Sequence, residues 1–90
     1  MNLTLRQMRA FSVVARTASF TLAARQLNLT QSAVSMLVQQ LEDELHLKVF
    51  DRSRHAVTLT ESGRQLLPLA RRMLDDLRQV EEGASGLRTL

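Results

Sequence analysis

A narrow stripe of small polar side chains is predicted on one face of a helix that begins after Thr30 and ends near Leu45. At 100° per residue, the stripe contains Ser32, Ser35, Met36, Gln39 and Asp43. Hydroxyl and amide groups at the start of a helix can form hydrogen bonds with base edges in the major groove of duplex DNA. The first part of the stripe is uncharged, whereas a helix face that only meets solvent normally carries Lys and Glu. The stripe therefore indicates a DNA-reading surface, and a merely polar outer face is the alternative.

The residues around this stripe predict a helix-turn-helix. Two earlier helices are expected at about Leu5–Thr17 and Phe20–Leu27, and Ser19 can cap the second. Asn28 tolerates the left-handed conformation that a tight turn between helices requires. The small side chain of Ala24 lets the second and third helices cross closely. The angle between them is filled by apolar side chains, namely Leu27, Leu29, Val34 and Leu37.

A short β-hairpin is predicted after the third helix. The β-prone runs are Val49-Phe50 and Val57-Thr58-Leu59. Between them lies Arg52-Ser53-Arg54-His55, which has three potential cations in four residues. Beside a helix-turn-helix, this segment is typical of a wing whose arginines contact phosphate or the minor groove. The alternative is a solvated turn.

The last segment, which begins at the predicted cap Thr60, is expected to be a long helix that pairs with another helix. Apolar residues recur there with four-three spacing: Leu66, Ala70, Met73, Leu77, Val80, Ala84 and Leu87. Such a heptad pattern predicts a seam between two helices and hence a homodimer. Leu67, Leu69 and Leu74 are expected to broaden the seam toward the rest of the domain. Pro68 lacks a backbone donor, so a kink or local adjustment is expected there.

Charge favours an anionic partner for the first half of the chain. The 90 residues have a formal net charge of +3. Met1 to Leu41 contains four arginines and no acid, hence +4, while the remaining 49 residues contain eight basic and nine acidic side chains, hence −1. Eleven of the twelve basic residues are arginine, which forms forked bonds with phosphate or guanine. With three Phe and no Trp or Tyr, the chain has little on which to stack unpaired bases, so duplex DNA is favoured over single strands.

Composition excludes several other classes of protein. The length suits one small domain, and no apolar run is long enough to span a bilayer or to act as a signal peptide. The absence of cysteine excludes disulfides and a thiolate zinc site. A cytoplasmic protein without a metal or other cofactor is therefore expected.

The titratable residues do not favour an enzyme. Glu42, Asp43 and Glu44 are consecutive, so they fan around a helix instead of converging on one site. His46 lies near a helix C-terminus, where it is a favourable dipole partner, and His55 lies in a polar turn. No glycine-rich phosphate loop or metal-ligand spacing is present. The remaining alternative to DNA binding is a protein–protein dimerisation module that uses the heptad seam without reading DNA.

The sequence resembles the N-terminal DNA-binding domain of LysR-type transcriptional regulators. The resemblance covers almost the whole chain in the right order. The matching stretches are Leu5–Phe11, Ser19–Ala24, Leu27–Ser35, Leu41–Leu45, Leu47–Arg52 and Leu59–Gly63. It implies a mainly α winged helix-turn-helix at residues 1–59, with a short two-stranded wing, and a linker and dimerisation helix at 60–90 that ends at a hinge. It also implies bacterial transcription regulation and an effector-binding domain beyond this chain, through which a small molecule would act on a dimer or tetramer.

The resemblance also assigns DNA-contacting positions. These are Thr30, Gln31, Ser32 and Ser35 at the start of the recognition helix, Met36 and Gln39 on the same face, and Arg52 and Arg54 in the wing. The wing arginines are expected to bind all sequences about equally. Three residues depart from the family pattern: Ser32 where proline is frequent, Met36 where a basic residue is common, and His46 where glycine often ends the helix.

Overall fold

The computed structural model describes residues 1–53 and 56–90 as four helices and a small antiparallel sheet. In Phe50–Asp51 (β1) and Thr58–Leu59 (β2), Phe50 is opposite Leu59 and Asp51 is opposite Thr58. The helices are α1, Leu5–Thr17; α2, Phe20–Leu27; α3, Gln31–Leu45; and α4, Glu61–Arg88. The predicted mainly helical fold with a two-stranded wing is therefore confirmed.

The core lies where α1, α2 and α3 meet the first strand and the first turns of α4. Phe50 of β1 lies edge-on to two other rings, with centroids 5.6 Å from that of Phe11 and 6.0 Å from that of Phe20. Such edge-to-face pairs add to the gain from burying apolar area. The largest fully buried side chains are Phe11, Leu41, Val14, Val34, Val38 and Val49. The apolar side of α3 is thereby fixed inward, which leaves its polar side exposed.

A serine or threonine caps the N-terminus of each helix, and a residue in the left-handed conformation ends each of the first three helices. Ser19 Oγ accepts from Leu22 N at 3.1 Å, and Thr30 Oγ1 accepts from Ala33 N at 3.1 Å. Asn28 has φ 55°, as predicted for the turn between α2 and α3. His46 has φ 56° and ends α3 without the glycine that this conformation favours. The departure at His46 therefore leaves the cap geometry of the recognition helix in place.

A buried carboxylate joins α3 to the first strand. Glu42 is only 6% exposed, and its Oε2 accepts from Val49 N at 2.9 Å and from Phe50 N at 3.4 Å. Lys48 Nζ lies 3.8 Å from Oε1 of the same carboxylate. Glu42 of α3 thus accepts from two backbone N–H groups at the start of β1, a contact that the sequence pattern does not indicate.

The long helix α4 is attached to the domain at its first turn. Thr60 N donates to Val49 O at 3.0 Å, and Thr60 Oγ1 donates to Lys48 O at 2.6 Å. Gly63 lies so close to the strand that a Cβ placed on it would be 2.2 Å from Val49 O. The helix continues through Pro68 to Arg88. In the described part of the chain, no helix combines the length and apolarity needed to cross a membrane.

Candidate nucleic-acid interface

The exposed side of α3 forms a shallow groove with uncharged walls along most of its length. Its lining residues are Gln31, Ser32, Ser35, Met36, Gln39, Gln40 and Asp43. The side chain of Met36 is 61% exposed within this set. All groove-facing positions predicted from Gln31 to Gln39 thus lie on one surface, and the only charge among the lining residues is Asp43, at the far end.

Thr30 has a different position from the other predicted contact residues. Its hydroxyl accepts from Ala33 N and closes the first turn of α3, and it does not line the groove. Gln31 begins the helix, and Thr21 Oγ1 of α2 donates to its Oε1 at 3.5 Å. The two helices of the helix-turn-helix therefore contact each other at the point where the groove begins.

Arg52 follows β1 and lies beside α3. Its Cζ is 4.0 Å from the centroid of the Phe20 ring, in a cation–π arrangement. Its Nη1 donates to Ser35 Oγ at 3.2 Å. Arg52 is thus joined to the recognition helix itself, and the sequence pattern does not indicate this contact because Ser35 is 17 positions away. The other predicted wing residue, Arg54, lies outside the described residues.

The arginines of α1 and α2 add positive charge to the first half of the domain. Arg6, Arg9, Arg16 and Arg25 are all exposed, and Arg16 donates to Gln26 of α2. Because the first acid after Met1 is Glu42, no carboxylate of helices α1 and α2 offsets these charges. This distribution produces a positive potential that attracts polyanions.

The predicted seam of α4 divides into a part within the domain core and an exposed part. Ala70 is only 3% exposed and Leu66 packs against the core, so these two seam residues contact their own domain. Farther along, Met73, Val80 and Ala84 are exposed and Leu77 is partly buried. Leu69, which was expected to broaden the seam toward the domain, is 56% exposed and lines an apolar groove together with Met8 and Phe11.

Ion pairs between neighbouring turns stabilise the exposed part of α4. Arg78 donates to Asp75 and to Glu82 Oε1, the latter at 2.9 Å. The hydrogen bond from Arg78 lowers the pKa of Asp75, and a second one from Gln79 acts in the same direction. The two acceptors raise the pKa of Arg78 in turn. These contacts support the helix where it extends beyond the core.

Four helices, a two-stranded wing and an exposed polar third helix define a winged helix-turn-helix DNA-binding domain. The family profile described as "Bacterial regulatory helix-turn-helix protein, lysR family" matches residues 5–64. The chain belongs to this family, and it is a DNA-binding domain of the kind found in LysR-type transcriptional regulators.

Relatives and solved structures agree with this assignment. The chain is 47% identical over 88 residues to the RuBisCO operon transcriptional regulator of Allochromatium vinosum, covering 98% of this chain and 29% of that protein. The chain therefore spans less than a third of the length of this relative. A BenM_DBD/catB site 1 DNA complex has a TM-score of 0.90 at 29% identity, covering 94% of this chain and 96% of that one. Vibrio fischeri DarR in complex with DNA also has a TM-score of 0.90 at 29% identity, covering 99% of this chain and 30% of that one.

Proposed function

We propose that this chain binds a partly palindromic operator as a homodimer, with one α3 helix in each of two successive major grooves. The observation that carries this proposal is the exposed groove on α3, whose uncharged lining extends from Gln31 to Gln40. An α-helix fits the major groove of B-DNA, and amides and hydroxyls there can distinguish the base pairs. Surrounding arginines supply affinity through phosphate contacts, which carry no sequence information of their own.

Gln31 and Met36 are the proposed main determinants of base preference. The amide of Gln31 can bond adenine at two points, which is worth about 1–3 kcal/mol of discrimination. Met36 has neither charge nor a strong donor, so its exposed side chain is suited to contact with a thymine methyl group. Ser32 and Gln39 lie on the same surface and complete the contacts to the base edges.

Selection from a random duplex library at two salt concentrations tests this proposal. We expect enrichment of a two-fold symmetric site and a loss of affinity by orders of magnitude between about 50 and 200 mM salt. Gln31→Ala should reduce the preference at one base pair of each half-site, whereas Gln65→Ala on α4, outside the groove, should leave the preference unchanged.

Two results would contradict the proposal. Salt-sensitive binding without enrichment would mean that the arginines hold DNA while α3 does not distinguish its sequence. No binding at either salt concentration would instead favour a dimerisation module without DNA binding, which the exposed apolar residues of α4 would serve.

The dimer itself is proposed from the exposed apolar stripe on α4, which consists of Leu69, Met73, Val80 and Leu87. Leu77 and Ala84 border this stripe, and Leu66 and Ala70 anchor its start to the domain. Burying such a stripe against a second copy removes apolar area from water. Sedimentation should show a dimer at micromolar concentration, which Val80→Glu weakens and Ser85→Glu, on another face of α4, leaves intact. A monomer at that concentration would contradict this part of the proposal for the chain as it stands.

The proposed role of the whole protein is bacterial transcription regulation in the cytoplasm, without catalysis. The relatives are named as transcriptional regulators, and the RuBisCO operon regulator is more than three times as long as this chain. A small-molecule effector would act through such additional length, on a dimer or tetramer. We therefore expect this chain alone to bind its operator with the same affinity whether or not small metabolites are present.

A further inference from the structure

The contact between Arg52 and Ser35 links the base of the wing to the centre of the DNA-contacting surface. Arg52 Nη1 is 3.2 Å from Ser35 Oγ, and the guanidinium lies 4.0 Å from the centroid of the Phe20 ring. The three residues come from the segment after β1, from α3 and from α2 respectively. A single side chain thus contacts both helices of the helix-turn-helix.

The backbone around Arg52 is held by a local turn. The Asp51 carboxylate accepts from Ser53 N at 2.9 Å and from Ser53 Oγ at 2.6 Å. A carboxylate that bonds the backbone two residues later is a recurrent way of fixing a turn. On the other side, the ring of Phe20 is buried and packs edge-on against Phe50. The turn therefore holds the backbone of Arg52, and the guanidinium lies over the buried ring of Phe20.

The direction of this hydrogen bond decides what Ser35 can offer to DNA. A serine hydroxyl has one proton and two lone pairs, and a guanidinium can only donate. When Arg52 donates to Ser35 Oγ, the hydroxyl proton of Ser35 remains available to donate elsewhere. Ser35 lies in the groove of α3, so its available partners are acceptors on base edges, such as purine N7, guanine O6 or thymine O4.

We infer that Arg52 is a positioning residue for base preference: it holds Ser35 as a hydrogen-bond donor toward an acceptor on a base edge. This inference rests on the proposed function and assigns a chemistry to one base pair of each half-site. The base at that position presents an acceptor, and cytosine, whose major-groove edge presents the N4 donor, is disfavoured there. The remaining N–H groups of Arg52 can still bind a phosphate, so this side chain contributes both to the affinity for DNA and to base preference.

The experiment compares the best operator with the same operator changed at single base pairs. The variants are Arg52→Met, Ser35→Ala and the double variant, and Arg25→Met on α2 is the control for loss of one exposed positive charge. Circular dichroism first confirms that each variant is folded. We expect Arg52→Met and Ser35→Ala to reduce the preference at the same base pair, by about fivefold or more. The double variant should reduce it no further, because the two side chains act through one contact.

The control and the alternative outcomes separate this inference from the proposed function. Arg25→Met should weaken all sequences by a common factor and lower the salt slope by about one at most. If Arg52→Met has only this uniform effect, Arg52 is a phosphate contact alone and the inference is wrong. If Arg52→Met and Ser35→Ala change different base pairs, the inference is also wrong. If the unmodified chain binds DNA without any preference, the proposed function itself fails, and base positioning by Arg52 fails with it.

Discussion

Replacing Gly63 with alanine should destabilise the domain, although alanine is the better helix former. Gly63 lies in the first turn of α4, and an added Cβ would be 2.2 Å from Val49 O and 3.0 Å from Leu59 Cδ2. The obstacle at Val49 is backbone, so it cannot be relieved by rotating a side chain. Gly83 lies in the same helix, and apart from the nearby backbone of that helix no atom lies within 4 Å of an added Cβ, which makes Gly83→Ala a matched control.

The expected magnitude follows from two opposing effects. Removing glycine from a helix interior stabilises it by about 1 kcal/mol. At Gly63, the helix must move away from the strand to bring 2.2 Å up to the 3.4 Å of ordinary contact. This movement strains the core at a cost of about 1–3 kcal/mol. It also lengthens the bonds from Thr60 to Val49 O and Lys48 O, now 3.0 and 2.6 Å, each worth about 1 kcal/mol. We expect a net loss of about 1–4 kcal/mol for Gly63→Ala.

Urea denaturation followed by circular dichroism, at equal protein concentrations, measures both variants. Gly83→Ala should raise the free energy of unfolding by up to about 1 kcal/mol, while Gly63→Ala lowers it. For a domain of this size, each kcal/mol shifts the melting temperature by roughly 4–8 °C. A Gly63→Ala protein as stable as the unmodified chain would show that the approach of α4 to the strand is looser than the 2.2 Å separation requires.

Two further predictions concern the end of α3 and an ion pair in the middle of α4. His46→Gly should raise the free energy of unfolding by about 1 kcal/mol, because a φ of 56° strains any residue that has a Cβ. Urea denaturation measures this change. An unchanged denaturation midpoint would show that His46 is not strained. Arg78 lowers the pKa of Asp75, so the ionised Asp75 carboxylate stabilises α4. This stabilisation is complete above the ordinary pKa of an aspartate and is lost as the pH falls through the lowered pKa. Helicity measured by circular dichroism from pH 7 to below the lowered pKa should therefore decline, and Arg78→Gln should reduce the decline.

The helix boundaries could be predicted because they depend on neighbours in the sequence. Ser19 and Thr30 each accept from a backbone N–H three residues later, and Asn28 adopts the left-handed conformation within one turn of its helix. The polar side of α3 was equally predictable, because its opposite side is buried as the apolar spacing requires. Short-range capping and helical periodicity were sufficient for these features.

Contacts between distant residues could not be predicted in the same way. Arg52 bonds Ser35 across 17 positions, and the buried Glu42 bonds strand donors whose position depends on the whole fold. The heptad spacing identified an apolar face on α4. It did not show how many residues of that face pack against the core of the same domain. Ala70 turned out to be a core residue, whereas Leu69, only one position earlier, is exposed. A helical step of 100° separates the two environments.

The helix α4 combines two roles in the proposed dimer, because it is fixed to the core at one end and exposes its apolar stripe farther along. Leu67 and Ala70 are buried in the domain, while Met73 and Val80 are exposed. In that dimer, α4 packs on its own domain and on the second copy at the same time. This double packing determines the direction in which each α3 points from the dimer axis. In this proposed dimer, the packing of α4 on its own domain at Gly63, and not a flexible loop, sets the distance between the two half-sites. Base preference, in contrast, is proposed to depend on the side chains of α3 and on the contact of Arg52 with that helix.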